Sequence, residues 1–290
     1  MTVRALIFGA SGQVGTALQV TAPASADVVA HQLRDTDIRD ARAVGNAIEK
    51  ARPHVIFNCA AFTGVDAAER DRDDAFQANA VAPGIVAELA ERASVRLVHI
   101  STDYVFDGSS SEPYTPQSAP APVNVYGATK LEGERRVMAA SPRSVIVRTA
   151  WLHSGGGTNF VKTAIRVLSG GQTMRVVDDQ IGTPTRADNL ARALWRIADR
   201  PAVAGILHFT DAGVASWFDV AATVLETLRS AGRLPDGAAV LPIRTSEYPT
   251  PARRPAYTVL DKHASWQAME YLPPHWREGV IRSTSESLHA

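Results

Sequence analysis

The feature that most constrains this chain lies at its start. Val3–Phe8, apolar apart from Arg4, leads straight into Gly9-Ala10-Ser11-Gly12-Gln13-Val14-Gly15. A strand that turns on glycines into a helix lets the backbone approach a pyrophosphate, and the first N–H groups of the helix lack partners of their own. The spacing is Gly-x-x-Gly-x-x-Gly rather than Gly-x-Gly-x-x-Gly, yet it meets the same requirement. Gly9, Gly12, Gln13, Val14 and Gly15 are therefore candidate dinucleotide-binding residues. A glycine-rich strand-to-helix turn with no ligand is the plainer alternative.

The rest of the first half repeats the same rhythm. Val28–Ala30, Val55–Phe57, Leu97–Ile100 and Val145–Val147 are short runs rich in Val and Ile. Between them lie segments with helical spacing: Val44, Ala47, Ile48 and Ala51, then Ala80 to Ala93, then Thr129 to Ala140. Such alternation predicts an α/β fold, a doubly wound parallel sheet of Rossmann type with helices on both faces. After Thr149 the rhythm changes, with glycines at 155–157 and prolines at 249, 251 and 255. A helix at Asp188–Ile197 and a strand at Ile206–Phe209 are expected to return to the sheet. The predicted division is thus a dinucleotide-binding domain, 1–150 with 185–215, and a smaller α+β substrate lobe, 151–184 with 216–290. The polar tail Ser283–Ala290 is expected to fray.

Charge and cysteine content exclude several classes. The 290 residues carry 30 Lys plus Arg against 30 Asp plus Glu, without the basic excess of a nucleic-acid binder. The single cysteine, Cys59, forms no internal disulfide and no thiolate zinc cluster, and it reads as a packed core thiol. With no cysteine pair and no His-x-x-x-His, no metal site is predicted. The first apolar stretch, Ala5–Phe8, is too short for a secretory signal, and no run suits a membrane span. A cytoplasmic protein is the expectation.

A second pattern concerns chemistry. Tyr126-Gly-Ala-Thr-Lys130 places a phenol and an ammonium one helical turn apart, on one face. The ammonium is expected to lower the tyrosine pKa, making it a usable proton donor or acceptor. Leu97–Ile100 ends in Ser101-Thr102-Asp103-Tyr104, and parallel sheets bind ligands at the carboxyl ends of their strands. Thr102 could then share a substrate carbonyl with Tyr126. His99, inside the strand, reads as a packing residue.

Thr102, Tyr126 and Lys130, with the opening glycine loop, resemble the extended short-chain dehydrogenase/reductases. Finer blocks narrow the resemblance to dTDP-4-dehydrorhamnose reductases. They are Asn58–Asp66, Ser101–Gly108, Asn124–Lys130, Arg148–Trp151, Asn159-Phe160, Asp179–Thr185 and Tyr248–Pro255. With the opening loop they span nearly the whole chain, and the last two lie in the expected substrate lobe.

The resemblance implies reduction at C4 of a dTDP-linked 4-keto-6-deoxyhexose, yielding dTDP-L-rhamnose. Tyr126 would deliver the proton, Lys130 would hold the nicotinamide ribose, and Thr102 would polarise the carbonyl. Asp103 would bind a sugar hydroxyl, or else cap the turn that follows. Trp151 would pack on the deoxysugar, or else serve as a buried hinge aromatic. Arg253 and Arg254 would grip the diphosphate, or else lie in solvent. Ala61, Phe62 and Thr63 would border the adenosine and ribose.

The cofactor is NADPH or NADH. Asp35, placed to hold a ribose 2′-hydroxyl, follows Arg34, which suits a 2′-phosphate, so the reading leans to NADPH. Asp37 and Ile38 are placed to lie against adenine. The expected partner is a nucleotide sugar, with neither nucleic acid nor membrane; a homodimer stays open. Dehydratases of the superfamily carry Thr-Asp-Glu after this strand, whereas this chain has Tyr104 where their basic glutamate stands. Three alternatives remain: an epimerase, a reductase of another 4-keto-deoxyhexose, and a non-catalytic regulatory subunit like that of methionine adenosyltransferase.

Overall fold

The computed structural model describes residues 3–289. Six parallel strands form the main sheet: β1 (Val3–Phe8), β2 (Ala26–His31), β3 (Val55–Asn58), β4 (Arg96–Thr102), β5 (Val145–Thr149) and β6 (Gly205–His208). Their spatial order is β6-β5-β4-β3-β1-β2. The chain passes from β1 to β2 on one side, then crosses back to place β3 on the other. That reversal opens a crevice at the carboxyl ends of β1 and β3.

Strand periodicity builds two cores at once. Ala5 and Ile7 of β1 face one cluster, and Leu6 and Phe8 face the other. The first cluster takes in Leu18 of α1 (Gln13–Val20) and Leu190 and Leu194 of α6 (Ala187–Ala198). The second takes in Val44 and Ile48 of α2 (Ala41–Ala51), Val86 of α3 (Ala82–Arg92) and Val137 of α4 (Val125–Ala140). Burial on both faces explains why these strands read as continuous Val/Ile runs.

A third core joins α5 (Phe160–Ser169), α7 (Trp217–Ser230) and α8 (Trp276–Leu288) through Ile165, Leu168, Val224, Leu228 and Val280. Around it lie short strand pairs. Thr173–Val177 runs parallel to Ala239–Ile243, and Ile181–Gly182 runs antiparallel to Ala215–Ser216. Among the described residues, no helix is long and apolar enough to cross a membrane.

Local boundaries depart from expectation for identifiable reasons. Gln77–Val81 is a π-helical turn, and the α-helix starts only at Ala82. Asn79, fully buried, turns inward there, accepting from Phe62 N (2.8 Å) and donating to Phe62 O (3.0 Å) and Thr129 Oγ1 (3.2 Å). A π-bulge supplies the extra room such an insertion needs. Helix α4 starts at Val125 rather than Thr129, because Asn124 caps it by accepting from Gly127 N at 2.8 Å. The expected fraying of the tail is corrected over Ser283–Leu288, which is helical. Buried Arg186 holds it, donating to Ser283 Oγ and Glu286 at 2.8 Å each. Ala290 lies outside the described residues, as do Met1 and Thr2.

Beneath the carboxyl ends of β4 and β5 lies a buried ion pair. Arg148 grips Glu134 bidentately at 2.9 and 2.6 Å, and Glu134 also accepts from Ser101 Oγ at 2.5 Å. The guanidinium lies 5.1 Å from the centre of the Phe106 ring. Removing one partner of such a pair strands the other charge. Arg148→Ala should therefore lower unfolding free energy in urea by about 3–5 kcal/mol. The double variant Arg148→Met/Glu134→Leu should recover most of that loss.

Candidate active site

The turn after β1 is built from close backbone approaches. Gly9, at φ 76°, lies against Cys59 and Ala60, where a Cβ would fall 2.6 Å from Ala60 N. A Cβ on Gly15 would fall 2.3 Å from the Gly9 carbonyl oxygen. Gly12 is the N-cap of α1, and no side chain caps that helix. The first N–H groups of α1 thus point into a cavity of about 410 Å³, lined by Gly12, Gln13 and Val14. A cradle that a Cβ would fill, with free helical N–H groups, suits a dinucleotide pyrophosphate.

The same cavity brings together Ala61, Thr63, Thr102, Asp103, Tyr126, Lys130 and Trp151. Gly9 and Gly15 shape it from behind. Phe62 is not on its lining; its backbone is the segment that Asn79 clasps. Cys59 also lines the cavity and packs on the first core, and burial pushes its thiol up to about 12. It packs against that core as expected and is half-buried where it meets the cavity. His99 is fully buried, with Nδ1 3.2 Å from Asn58 Nδ2, and burial holds it well below its ordinary pKa.

Asp37 and Ile38, expected against adenine, are not on the lining of this cavity. Ile38 belongs to the second core, and Asp37 is held by Arg39 at 2.6 Å. Arg34 is exposed beside Asp35, 3.9 Å away.

Electrostatics at the centre differ from the sequence expectation. Lys130 donates to the Ile100 carbonyl at 2.7 Å. Burial pulls its amine down to about 8, with Glu134 and Cys59 opposing. Burial drives Tyr126 up to about 12, while a Thr102 hydrogen bond pulls the other way and Asp103 adds to the rise. The expected lowering of the tyrosine is therefore corrected: desolvation of a buried phenolate prevails. Thr102 donates to Asp103 Oδ1 at 3.0 Å, and its hydroxyl, not the Asp103 carboxylate, caps the following turn by accepting from Tyr104 N. Asp103 is buried and pushed up by that burial to about 6, with Thr258 and Thr102 pulling the other way, and among the described residues its Oδ2 meets no donor at full hydrogen-bond geometry.

A second cavity of about 370 Å³ adjoins the first. Tyr104, Phe160, Gln180, Trp217 and Arg254 lie on its lining. Tyr104 meets Tyr126 edge to face, with ring centres 5.9 Å apart, and Trp217 stacks on Trp151 at 3.7 Å. Of the two arginines, Arg254 lines this cavity, paired with Asp66 Oδ2 at 2.7 Å. The Arg253 side chain is exposed, and its carbonyl accepts from Asn124 at 2.9 Å.

Comparison with known proteins adds one decisive fact. Residues 3–288 match the family described as the RmlD substrate binding domain. The chain belongs to the RmlD family. It is 41% identical to a dTDP-4-dehydrorhamnose reductase of Mycolicibacterium smegmatis, over 97% of this chain and 84% of that one. It is 38% identical to a probable dTDP-4,6-dihydroxy-2-methyloxan-3-one 4-ketoreductase of Streptomyces antibioticus, over 99% and 97%. A solved dTDP-4-dehydrorhamnose reductase of Bacillus anthracis in complex with NADP superposes with a TM-score of 0.90, at 36% identity, over 99% of this chain and 100% of that one.

Sequence reasoning did not single out Tyr104, Asp66, Phe160, Gln180 and Trp217, which line the second cavity of this RmlD-family chain. All but Trp217 fall inside the blocks that carried the resemblance, so block membership was a usable signal for four of them.

Gly15→Ala tests the cradle. Its Cβ meets backbone atoms, which cannot swing aside, so the turn must deform. Dinucleotide affinity in a fluorescence titration should fall roughly ten- to hundredfold, as expected when hydrogen bonds to a charged group are lost.

Proposed function

We propose that this RmlD-family protein reduces the C4 keto group of dTDP-4-dehydro-L-rhamnose to give dTDP-L-rhamnose, with NADPH as cofactor. The observation that carries this reading is a pair of neighbouring cavities, brought side by side where Tyr104 meets Tyr126 and Trp217 stacks on Trp151. The first holds a phosphate-type helix N-terminus and the Thr102–Tyr126–Lys130 group, and the second bears Arg254. A dinucleotide suits the first cavity, and a sugar nucleotide suits the second with its sugar at Tyr126. The NADP bound to the B. anthracis relative supports NADPH over NADH. In two-lobe terms, 1–150 with 185–215 would hold the dinucleotide, and 151–184 with 216–290 the sugar nucleotide.

Each residue then has a defined task. Gln13, Val14 and the glycine turn hold the pyrophosphate, and Ala61 and Thr63 flank the adenosine side. Bound NADPH supplies the hydride. Tyr126, kept protonated by its burial, gives its proton to the oxygen of the former carbonyl. Thr102 directs its hydroxyl to the same oxygen. Lys130 keeps positive charge beside the tyrosine, favouring the phenolate that proton delivery leaves behind. The Oδ2 atom of Asp103 accepts from a sugar hydroxyl, and Trp151 presents its ring to the sugar. Arg254, rather than Arg253, is positioned for the diphosphate.

The S. antibioticus relative favours a second reading at the same site, reduction of a related dTDP-linked 4-keto-deoxyhexose. Both readings use the same proton donor and the same cofactor.

Two measurements check the chemistry. Tyr126→Phe should cut kcat by about a hundredfold or more, with NADPH affinity unchanged, because only the proton donor is lost. Wild-type-like turnover would refute the assignment.

The pH profile tests Lys130. Its amine, lowered to about 8 by burial, loses its proton as pH rises through that value, while Tyr126 stays protonated. The rate constant kcat/KM should therefore fall above pH 8. A profile flat up to the ordinary lysine value of 10.5 would exclude the role.

A further inference from the structure

Trp151 stands between the two cavities, and its placement is over-determined. Its backbone is left-handed, at φ 47°, which a bulky residue adopts only where surrounding contacts enforce it. Its indole stacks on Trp217 with ring centres 3.7 Å apart and planes 8° from parallel. Phe160 meets the far partner, Trp217, edge on at 4.8 Å. On another side lies Gly182, where a Cβ would sit 2.6 Å from Trp151 Cε2 and 2.7 Å from Cζ2. Only a residue without a side chain leaves the indole that room.

The slot is assembled from distant segments. Gly182 pairs with Ala215 in a short antiparallel ladder. Two residues later Trp217 opens α7, whose start is fixed by a reciprocal capping box between Ser216 and Asp219. The ladder therefore ties the glycine and the second tryptophan to one frame. The Trp151 carbonyl accepts from Thr185 N at 3.2 Å, anchoring the left-handed turn. Trp151 and Trp217 are only half-buried, and each lines a cavity, Trp151 the first and Trp217 the second. A purely structural aromatic cluster has no need of a strained backbone at the mouth of a site.

We infer that Trp217 and Gly182 are positioning residues for the reduction, holding the Trp151 indole as a fixed wall that seats the sugar ring between the two cavities. The inference deepens the functional reading above and rests on it. A flat, immobile indole favours the C–H-rich face of a deoxyhexose, and its position sets how far the keto carbon stands from the proton and hydride donors. Displacements of about 1 Å at such a point cost roughly a hundredfold in rate.

Among the described residues no other tryptophan pair is stacked, so the pair gives its own spectroscopic signal. Stacked indoles produce an exciton couplet in far-ultraviolet circular dichroism. The experiment compares wild type, Trp217→Ala, Trp217→Phe and Gly182→Ala by that couplet, by NADPH affinity, and by kcat and KM with dTDP-4-dehydro-L-rhamnose. Trp217→Ala should lose the couplet and roughly ten- to a hundredfold in kcat/KM, with NADPH affinity kept. Trp217→Phe should also lose the couplet but restore most of the rate, since a ring still backs the indole. Gly182→Ala retains both tryptophans, yet should weaken the couplet and the rate together. Loss of the couplet with unchanged kcat/KM in Trp217→Ala and Gly182→Ala would overturn the positioning role alone. So would equal loss of rate and NADPH affinity. A wild type that does not turn over the sugar would overturn the functional reading and the inference with it.

Discussion

The site is organised around one crowded point, where the Gly9 turn at the end of β1 lies against the backbone of Cys59 and Ala60 at the end of β3. Side chains at Gly9 or Gly15 would force those strands and α1 apart. Because they are absent, α1 starts directly at the crevice, with its free N–H groups facing the cavity. The strand order reverses at the same place, so the crevice exists only where the backbones come this close. The positions of Thr102 on β4 and of Tyr126 and Lys130 on α4 follow from that arrangement.

Behind the cavity, buried polar groups set a rigid frame. Glu134 lies two helical turns beyond Tyr126 on α4 and is locked by Arg148 of β5 and Ser101 of β4. Asn124, at the start of the same helix, ties it to the loop that carries Arg254. Asn79 clasps the Phe62 backbone, between Ala61 and Thr63 on the cavity lining. Each contact joins separate elements, so the helix carrying the tyrosine and lysine is held at its start through Asn124 and along its length through Thr129 and Glu134.

Much of this is legible in the residues alone. Most of the main strands are short Val/Ile-rich runs, because both faces of a doubly wound sheet are buried; β1 spans the expected residues, β2 to β5 run one or two residues further at one or both ends, and β6 is shifted by one residue to Gly205–His208. The glycine turn and the Tyr126–Lys130 spacing are local, and local patterns survive translation into sequence. Properties that depend on long-range packing do not. Arg253 and Arg254 are neighbours in the chain, and only the pairing with Asp66 selects which one reaches the cavity. The acidity of Tyr126 depends on how completely the fold excludes water, which outweighs the Thr102 hydrogen bond that favours the phenolate. Ile38 resembles a loop residue until α2 covers it. Trp217 lies outside every recognisable block, and its partnership with Trp151 depends on long-range packing that includes the Gly182–Ala215 ladder and Phe160.

The central claim, that the site moves a hydride onto the sugar C4 of a dTDP-linked ketone, is tested most directly by isotope transfer. Wild-type protein would be incubated with dTDP-4-dehydro-L-rhamnose and NADPH carrying deuterium at the transferable nicotinamide position, and the product examined by nuclear magnetic resonance. The account predicts dTDP-L-rhamnose with deuterium at C4 and nowhere else. Recovery of unreduced keto sugar alongside intact deuterated cofactor, under conditions where that cofactor is bound, would contradict it.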